Sequence, residues 1–198
     1  ADWAAPGRIA STPDSAGAEG VAADRVGRGQ AGTCRNLGEA ADVFEAMVRD
    51  RDCFRVRTIS GAMTIAKQGL VVCEMIDRGW VQAIVATGAL MTHGFVEAAG
   101  MTHYKHRPSM NDEELFAKGY NRVYDTLELE QNLDDTEKIV SAVLDGVPEG
   151  TVLASHVITE ALGRHLEANA DGRAILKSAV ARGVPVYIPA FTDSELGL

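Results

Sequence analysis

Apolar residues recur at helix-like or strand-like spacing from residue 37 onward, and this pattern predicts the elements of the first half of the chain. Residues 37–50 have the spacing of an amphipathic helix, and RVRTIS, residues 55–60, reads as a short strand. The inward face of this helix is predicted to be Leu37, Ala40, Ala41, Phe44, Met47 and Val48. Residues 64–79 predict a helix that ends at Gly79, and residues 81–87 a second strand. This order predicts a crossover unit with two parallel strands.

The middle of the chain gives weaker signals. A short helix is predicted over residues 93–99, and residues 101–115 are rich in loop-forming residues, with a helix start at NDEE, residues 111–114. Residues 121–129 predict one extended segment. These elements continue the alternation of strands and helices.

The last third of the chain returns to clear helical spacing. Asp134 and Glu137 have the spacing of a capping box, which predicts the start of a helix that ends at Gly146. Two more helices, near residues 155–167 and 172–182, lead into the buried strand VPVYIPA, residues 184–190. The whole pattern predicts a three-layer α/β domain with a mainly parallel sheet.

The first 33 residues differ in composition from the rest. They are dominated by Ala, Gly, Ser and Pro and show no sustained period of 2 or 3.6. Such a segment buries too little apolar surface to offset the entropy of ordering it. We therefore expect a flexible or irregular arm over residues 1–33 and one domain over residues 34–198.

Charge and cysteine content narrow the function classes. The net charge of −9 argues against binding to a phosphate backbone and is compatible with polycationic partners. No stretch approaches the ~20 apolar residues that cross a membrane, and the N-terminus lacks a signal pattern. Three cysteines, an odd number without metal-ligand spacing, indicate reduced thiols. We expect a cytoplasmic protein that binds neither nucleic acid nor membrane.

The predicted strand ends carry small and polar residues. Ligands bind parallel sheets outside the carboxyl ends of the strands, where helix N-termini offer unpaired N–H groups. The residues at these positions are Ser60, Gly61 and Thr64 after the first strand, Thr87, Gly88 and Ala89 after the second, and Asp193 after the last. They could admit a phosphate and a ribose, but the same residues are equally typical of tight turns that serve only packing.

Three segments in fixed order carry a resemblance to a known family. SGAMTIAKQGLVVCEMIDRGWVQAIVATGALMTHGFVEAAGMTHY, ELFAKGYNRVYDT and RGVPVYIPAFTDSELG resemble the deoxyhypusine synthase family, in particular its bacterial deoxyhypusine synthase-like members. The resemblance extends from about residue 32 to residue 198. It implies a Rossmann-like parallel sheet, NAD as cofactor, and a homotetramer with active sites at dimer interfaces.

The resemblance also implies a reaction. Family members oxidise the secondary amine of spermidine, or of a related polyamine, by hydride transfer to NAD. A 4-aminobutyl group then moves through an imine on an enzyme lysine to a protein lysine acceptor. Two alternatives stay open: a homospermidine or spermidine synthase type of enzyme with a free diamine acceptor, and a non-catalytic paralogue that binds NAD or assists oligomerisation.

Site residues follow from the resemblance position by position. The implied cofactor residues are Ser60, Gly61, Ala62, Met63, Thr64 and Ile65 in a first loop, Thr87, Gly88 and Ala89 in a second, and Asp193 as the ribose-binding carboxylate. Where eukaryotic members carry two adjacent glutamates that hold the polyamine, this chain has Thr92 and His93. We expect His93 to act as a neutral base at a helix N-terminus, which disfavours a cation.

The imine-forming lysine of the family has no counterpart in this sequence. Its motif, with a tryptophan and a glycine beside the lysine, would fall beyond Leu198, so the chain is expected to be a fragment, the ordered part of a longer protein, or a shortened relative. Lys67 follows the first cofactor loop, but a lysine on a helix face is expected to be solvated. His103 and His106 lack partners at metal-ligand spacing, and we expect no metal site.

Overall fold

Helices alternate with short strands along the chain, as the hydrophobic pattern predicts. The structure is a computed structural model that describes residues 33–60, 63–191 and 194, so the predicted N-terminal arm lies outside the described residues except for Thr33. In chain order the elements are α1 (Thr33–Arg49), β1 (Val56–Ile59), α2 (Gly69–Asp77), β2 (Ala83–Ala86), a π-helix (Leu90–Gly94) that continues into α3 (Phe95–Ala98), β3 (Tyr104–Lys105), α4 (Asp112–Ala117), β4 (Tyr120–Val123), β5 (Thr126–Leu129), α5 (Gln131–Asp145), α6 (Ser155–Asn169), α7 (Ile175–Arg182) and β6 (Val186–Tyr187).

A parallel sheet forms the centre of the domain. Its strand order is β1-β2-β6, with Ile59 opposite Ala86 and Ile84 opposite Val186. Helix α2 connects β1 to β2, which confirms the predicted crossover unit. The α/β class with a parallel sheet and flanking helices is therefore confirmed.

The hydrophobic core lies between this sheet and the helices. The buried residues that share it include Ile76 and Cys73 from α2, Ile84 from β2, Phe95 from α3, Leu162 and Leu166 from α6, and Leu176 from α7. Helices α6 and α7 approach closely at Gly163, where an added Cβ would lie 2.5 Å from Cγ2 of Val180 and 2.6 Å from the carbonyl oxygen of Leu176. Only glycine fits this crossing without displacing α7.

A second sheet is antiparallel, which the sequence did not predict. Its order is β3-β5-β4, and Leu127 of β5 lies opposite Tyr104 of β3 and Arg122 of β4. The predicted single extended segment over residues 121–129 is wrong, because the chain reverses at Tyr124, whose φ is 57°. Hairpin turns usually carry glycine or asparagine at such positions, so a Tyr-Asp turn gives no signal.

The helix predicted from residue 64 begins five residues later than expected. Residues 63–68 form a hydrogen-bonded turn instead, in which the Lys67 N–H donates to the Thr64 carbonyl at 2.9 Å. Lys67 adopts a φ of 63°, which is incompatible with a right-handed helix. The expectation that Lys67 lies on a solvated helix face is therefore wrong.

Two further helices differ from prediction in detail. In α1, Phe44 and Met47 are partly buried as expected, but Leu37 is 70% exposed. Helix α5 starts at Gln131, so Asp134 lies in its first turn and does not cap it. The capping-box prediction is wrong because the chain enters this helix directly from β5. Within the described residues, no helix combines the length and the hydropathy needed to cross a membrane.

Candidate active site

The carboxyl ends of β1 and β2 lie side by side at one edge of the parallel sheet. The Thr87 N–H donates to the carbonyl of Ile59 at 3.2 Å, which joins the two strand ends. Ser60, Met63 and Thr87 are exposed at this edge. A small cleft of about 190 Å³ opens beside β1, and Ser60 and Met63 contribute to its lining. This is the position at which parallel sheets bind ligands.

Thr64 and Ile65 are buried and serve mainly to hold the first loop in place. The Thr64 hydroxyl donates to the carbonyl of Ala89 at 3.4 Å. An added Cβ on Gly94 would lie 3.1 Å from Cγ2 of Thr64, so a side chain there would push the loop away. Thr64 is therefore packed against the segment that follows β2.

Gly88 allows a close contact with another segment of the protein. An added Cβ on Gly88 would lie 2.5 Å from Cβ of Ser194, so Ser194 lies directly against the end of β2. The small residue at this strand end thus serves close packing between two chain segments. Three predicted cofactor residues, Gly61, Ala62 and Asp193, lie outside the described residues.

His93 lies on the π-helix that follows β2. It is buried, as is Thr92 before it, and the ring retains 11% exposure. Isolated π-helical turns are rare and are frequent at functional sites, because the wider turn redirects side chains. The segment continues into α3 without a break, so His93 lies within a helix and not at its first residue.

A buried carboxylate, Glu128 on β5, joins two histidines. Its Oε2 lies 3.2 Å from Nδ1 of His93 and 3.0 Å from Nε2 of His103. Burial alone would raise the pKa of Glu128, but the hydrogen bonds from His103 and His93 outweigh it and lower the pKa from its ordinary value of 4.5 to about 2. Glu128 is therefore ionised at neutral pH.

A lysine extends this cluster on the far side of His103. Nζ of Lys67 lies 2.8 Å from Nδ1 of His103 and 3.1 Å from Oε1 of Glu97, and its side chain is only 8% exposed. We call these five connected side chains, Glu97, Lys67, His103, Glu128 and His93, the buried network. The sequence predicts His93 as a site residue, but it does not predict the other four in this role.

The remaining four were missed because they come from separate segments. Lys67 lies in the turn before α2, Glu97 on α3, His103 before β3 and Glu128 on β5, so no spacing in the sequence connects them. Glu128 gave no signal either, because its position between two leucines has the alternation of a strand whose polar residue faces solvent.

Three members of the buried network are types that bind metals. The ligand atoms of His93, His103 and Glu128 lie within 4.8 Å of one another, and His106 does not join them. Their contacts of 3.0 and 3.2 Å are ordinary hydrogen-bond lengths. The ammonium of Lys67 beside His103 would repel a cation, so we do not propose a metal here.

Comparison with known proteins decides the family. The sequence profile described as deoxyhypusine synthase matches residues 28–198. The chain belongs to the deoxyhypusine synthase family. It is 36% identical over 162 residues to a probable deoxyhypusine synthase 1 of Methanosarcina mazei, and 33% identical over 202 residues to a probable deoxyhypusine synthase of Methanosarcina thermophila. The match to a deoxyhypusine synthase-like protein of Chlorobaculum parvum is 31% identical over 165 residues.

The matches cover most of this chain and part of the family members. They span 82%, 100% and 82% of this chain, but 50%, 62% and 47% of the three relatives. A crystal structure assigned to a deoxyhypusine synthase of Entamoeba histolytica has a TM-score of 0.63 at 12% identity, covering 96% of this chain and 67% of that one. The family and the fold expected from the sequence are confirmed.

Proposed function

We propose that the protein is an NAD-dependent deoxyhypusine synthase-like transferase that moves a 4-aminobutyl group from spermidine or a related polyamine. The family match over residues 28–198 carries the proposal. The joined carboxyl ends of β1 and β2 and the buried network beside them support it, because they offer a ligand edge and a base in one region.

The exposed strand ends fit a dinucleotide. Ser60 and Thr87 are exposed directly after two adjacent strands, and the exposed Met63 offers an apolar surface for a ring. We propose that these residues hold NAD together with Ala89 and, from the family pattern, Asp193. NAD, when bound, accepts a hydride. The remaining loop residues, among them Thr64, Ile65 and Gly88, would stabilise the loop conformation at this edge by packing.

His93 is proposed as the base. A secondary ammonium must lose its proton before the neighbouring carbon can give up a hydride, so a ring nitrogen that accepts this proton assists the reaction directly. Thr92, which precedes it, is proposed to line the same site. The amine of Lys67 is bound to Glu97 and His103, so we do not propose it as the imine-forming lysine.

The test is amine-dependent NADH formation by the full chain with NAD and spermidine. With NAD and spermidine alone, we expect NADH to form. With an acceptor lysine or diamine added to full-length protein that supplies the imine-forming lysine, the imine passes to the acceptor, NADH returns its hydride to that imine, and the acceptor gains 4-aminobutyl mass in mass spectrometry. A protein lysine and a free diamine, offered in separate reactions, distinguish the synthase from a homospermidine or spermidine synthase type. Calorimetric NAD binding without NADH formation would favour the non-catalytic paralogue.

The cofactor site has its own variants. Asp193→Ala is expected to weaken NAD binding at least tenfold in calorimetric titration, because it removes the proposed partner of the ribose hydroxyls. Asp171→Ala, an exposed carboxylate before α7, serves as the control with the same change in charge. Unchanged NAD affinity of the Asp193→Ala variant would contradict the assignment.

A further inference from the structure

The donor and acceptor roles along the buried network fix which ring nitrogen of His93 carries the proton. We propose that Lys67, His103 and Glu128 are positioning residues that keep His93 in the tautomer with a proton on Nδ1, so that Nε2 is the atom that accepts the proton of the substrate. The inference rests on the proposed function, because it gives the base of that reaction its orientation.

The contact with Lys67 determines which nitrogen of His103 carries the proton. An ammonium only donates hydrogen bonds, so its 2.8 Å contact requires a lone pair on Nδ1 of His103. A neutral His103 must then carry its proton on Nε2. The ion pair of Lys67 with Glu97, at 3.1 Å, holds the ammonium in this place.

The contact with Glu128 determines which nitrogen of His93 carries the proton. An ionised carboxylate only accepts, and the same Oε2 receives Nε2–H of His103 at 3.0 Å and the contact from Nδ1 of His93 at 3.2 Å. Nδ1 of His93 must therefore carry its proton. One assignment satisfies all four groups: the Glu128 carboxylate requires a proton on the nitrogen of each ring that faces it, and the lone pair that Lys67 requires on Nδ1 of His103 agrees with this.

The result is a free acceptor at the last atom of the network. With Nδ1 protonated, Nε2 of a neutral His93 has a lone pair, and among the described residues no hydrogen bond reaches that atom. The His93 side chain keeps 11% exposure, so it is not fully enclosed by the described residues. The Glu128 carboxylate would stabilise the imidazolium that forms when Nε2 takes up a proton, as the aspartate of a Ser-His-Asp triad does.

Packing alone does not explain this arrangement. Removing a carboxylate and an ammonium from water is costly, and apolar residues of similar volume are often as stable in their place. Lys67 also holds a backbone φ of 63°, which is strained for a residue with a Cβ. Strain and buried charge together are typical of sites where a particular geometry is required.

The first measurement reads the tautomers directly. Long-range ¹H–¹⁵N spectra of the full chain, labelled with ¹⁵N-histidine at a pH where the rings are neutral, distinguish Nδ1–H from Nε2–H. His93→Gln and His103→Gln variants assign the signals. We expect Nδ1–H at His93 and Nε2–H at His103. Nε2–H at His93 would overturn the proposal, as would a stoichiometric shift of both rings on adding Zn²⁺.

Three variants and one control test which residue fixes the tautomers. Glu128→Leu removes the acceptor, and we expect His93 to change to the Nε2–H tautomer that a free histidine prefers. Glu128→Gln retains an oxygen that can accept from both rings, so we expect it to keep the wild-type tautomers. Lys67→Met removes the partner of Nδ1 but leaves the Glu128 carboxylate in place, so we expect His103 to keep Nε2–H. Glu137→Leu, an exposed glutamate on α5, is the control and should change neither ring.

Kinetics separate this inference from the proposed function. Glu128→Leu is expected to lower amine-dependent NADH formation ~10²-fold or more near neutral pH, with NAD affinity unchanged, whereas Glu128→Gln restores part of the rate. Wild-type rate in the Glu128→Leu variant would overturn the positioning role. If wild-type protein shows the expected tautomers but forms no NADH, the proposed function fails while the assignment of the network stands.

Discussion

Glu128 keeps a negative charge inside the protein because two imidazoles and, beyond them, an ammonium surround it. Desolvation opposes the charge, but hydrogen bonds from His103 and His93 hold its pKa at about 2. The unfolded chain would bind a proton at this carboxylate near pH 4.5, well before the folded protein does. Charge at this one residue therefore links the site to the stability of the fold.

We predict that the contribution of Glu128 to stability is complete above about pH 4.5 and is lost as the pH falls toward 2. The shift corresponds to on the order of 3 kcal/mol. Urea unfolding of wild type and Glu128→Gln between pH 7 and pH 2.5 measures it. The two curves should converge in acid. Glu137→Gln should follow wild type, and parallel curves for Glu128→Gln would contradict the prediction.

His93 should matter for the reaction and much less for the fold. In His93→Ala, we expect amine-dependent NADH formation to fall ~10²-fold or more near neutral pH, because the proton acceptor is removed. His93→Glu places a carboxylate close to Glu128, so like-charge repulsion should leave it poorly active as well. A rate series over pH is the measurement.

The control for His93 is His165→Ala, a half-buried histidine on α6. It should keep the wild-type rate and pH profile. If the His93→Ala variant also keeps both, His93 has only a structural role, and the proposed function then depends on the cofactor edge alone.

Among the elements, α1 and the two strands beside it are joined by one side chain. The buried Arg55, just before β1, donates to the carbonyls of Met47 at 2.8 Å, Trp80 at 2.8 Å and Cys53 at 3.0 Å. Met47 lies in the last turn of α1, whose carbonyls have no partner within the helix. Arg55 thus closes the end of α1 and attaches it to the sheet.

We predict that Arg55→Met lowers the free energy of unfolding by about 3 kcal/mol, because several partly buried carbonyls lose their donor. Arg55→Lys should recover only part of this loss, since an ammonium cannot reach all of them. Urea denaturation is the measurement. Arg57→Met, exposed on β1, is the control and should change stability by less than about 0.5 kcal/mol. An equal effect of both methionine variants would contradict the explanation.

The elements also show what a sequence can predict. The crossover unit β1-α2-β2 was predictable because its apolar runs, Gly79 and strand spacing act locally. The start of α2 at Gly69 was not, because the preceding turn is held by the left-handed backbone of Lys67, whose partners lie elsewhere in the chain. In the same way, the meeting of the ends of β1 and β2 was predictable from the strand order, whereas the buried network exists only after folding.

At the scale of the whole molecule, the part of the chain that the structure describes places no further strand beside β1, and exposed apolar side chains lie near this edge of the parallel sheet. Strand β1 is an edge strand, and Phe54 and Val56, two residues apart, are 68% and 48% exposed. Phe54, which precedes β1, and Val56, its first residue, place exposed apolar side chains near the outer strand of the described sheet. Such edges are usually covered by another chain or segment.

We predict that the full protein forms a homo-oligomer, with the family pattern of a tetramer as our expectation, and that the β1 edge contributes to its interface. Phe54→Glu should then weaken association at least tenfold, since it brings a charge into an apolar contact. Sedimentation over a range of protein concentrations is the measurement. Phe116→Glu, an 81% exposed phenylalanine on α4, is the matched control and should leave association unchanged. A stable monomer that forms NADH from amine would refute the oligomer, whereas equal weakening by both variants would move the interface away from β1.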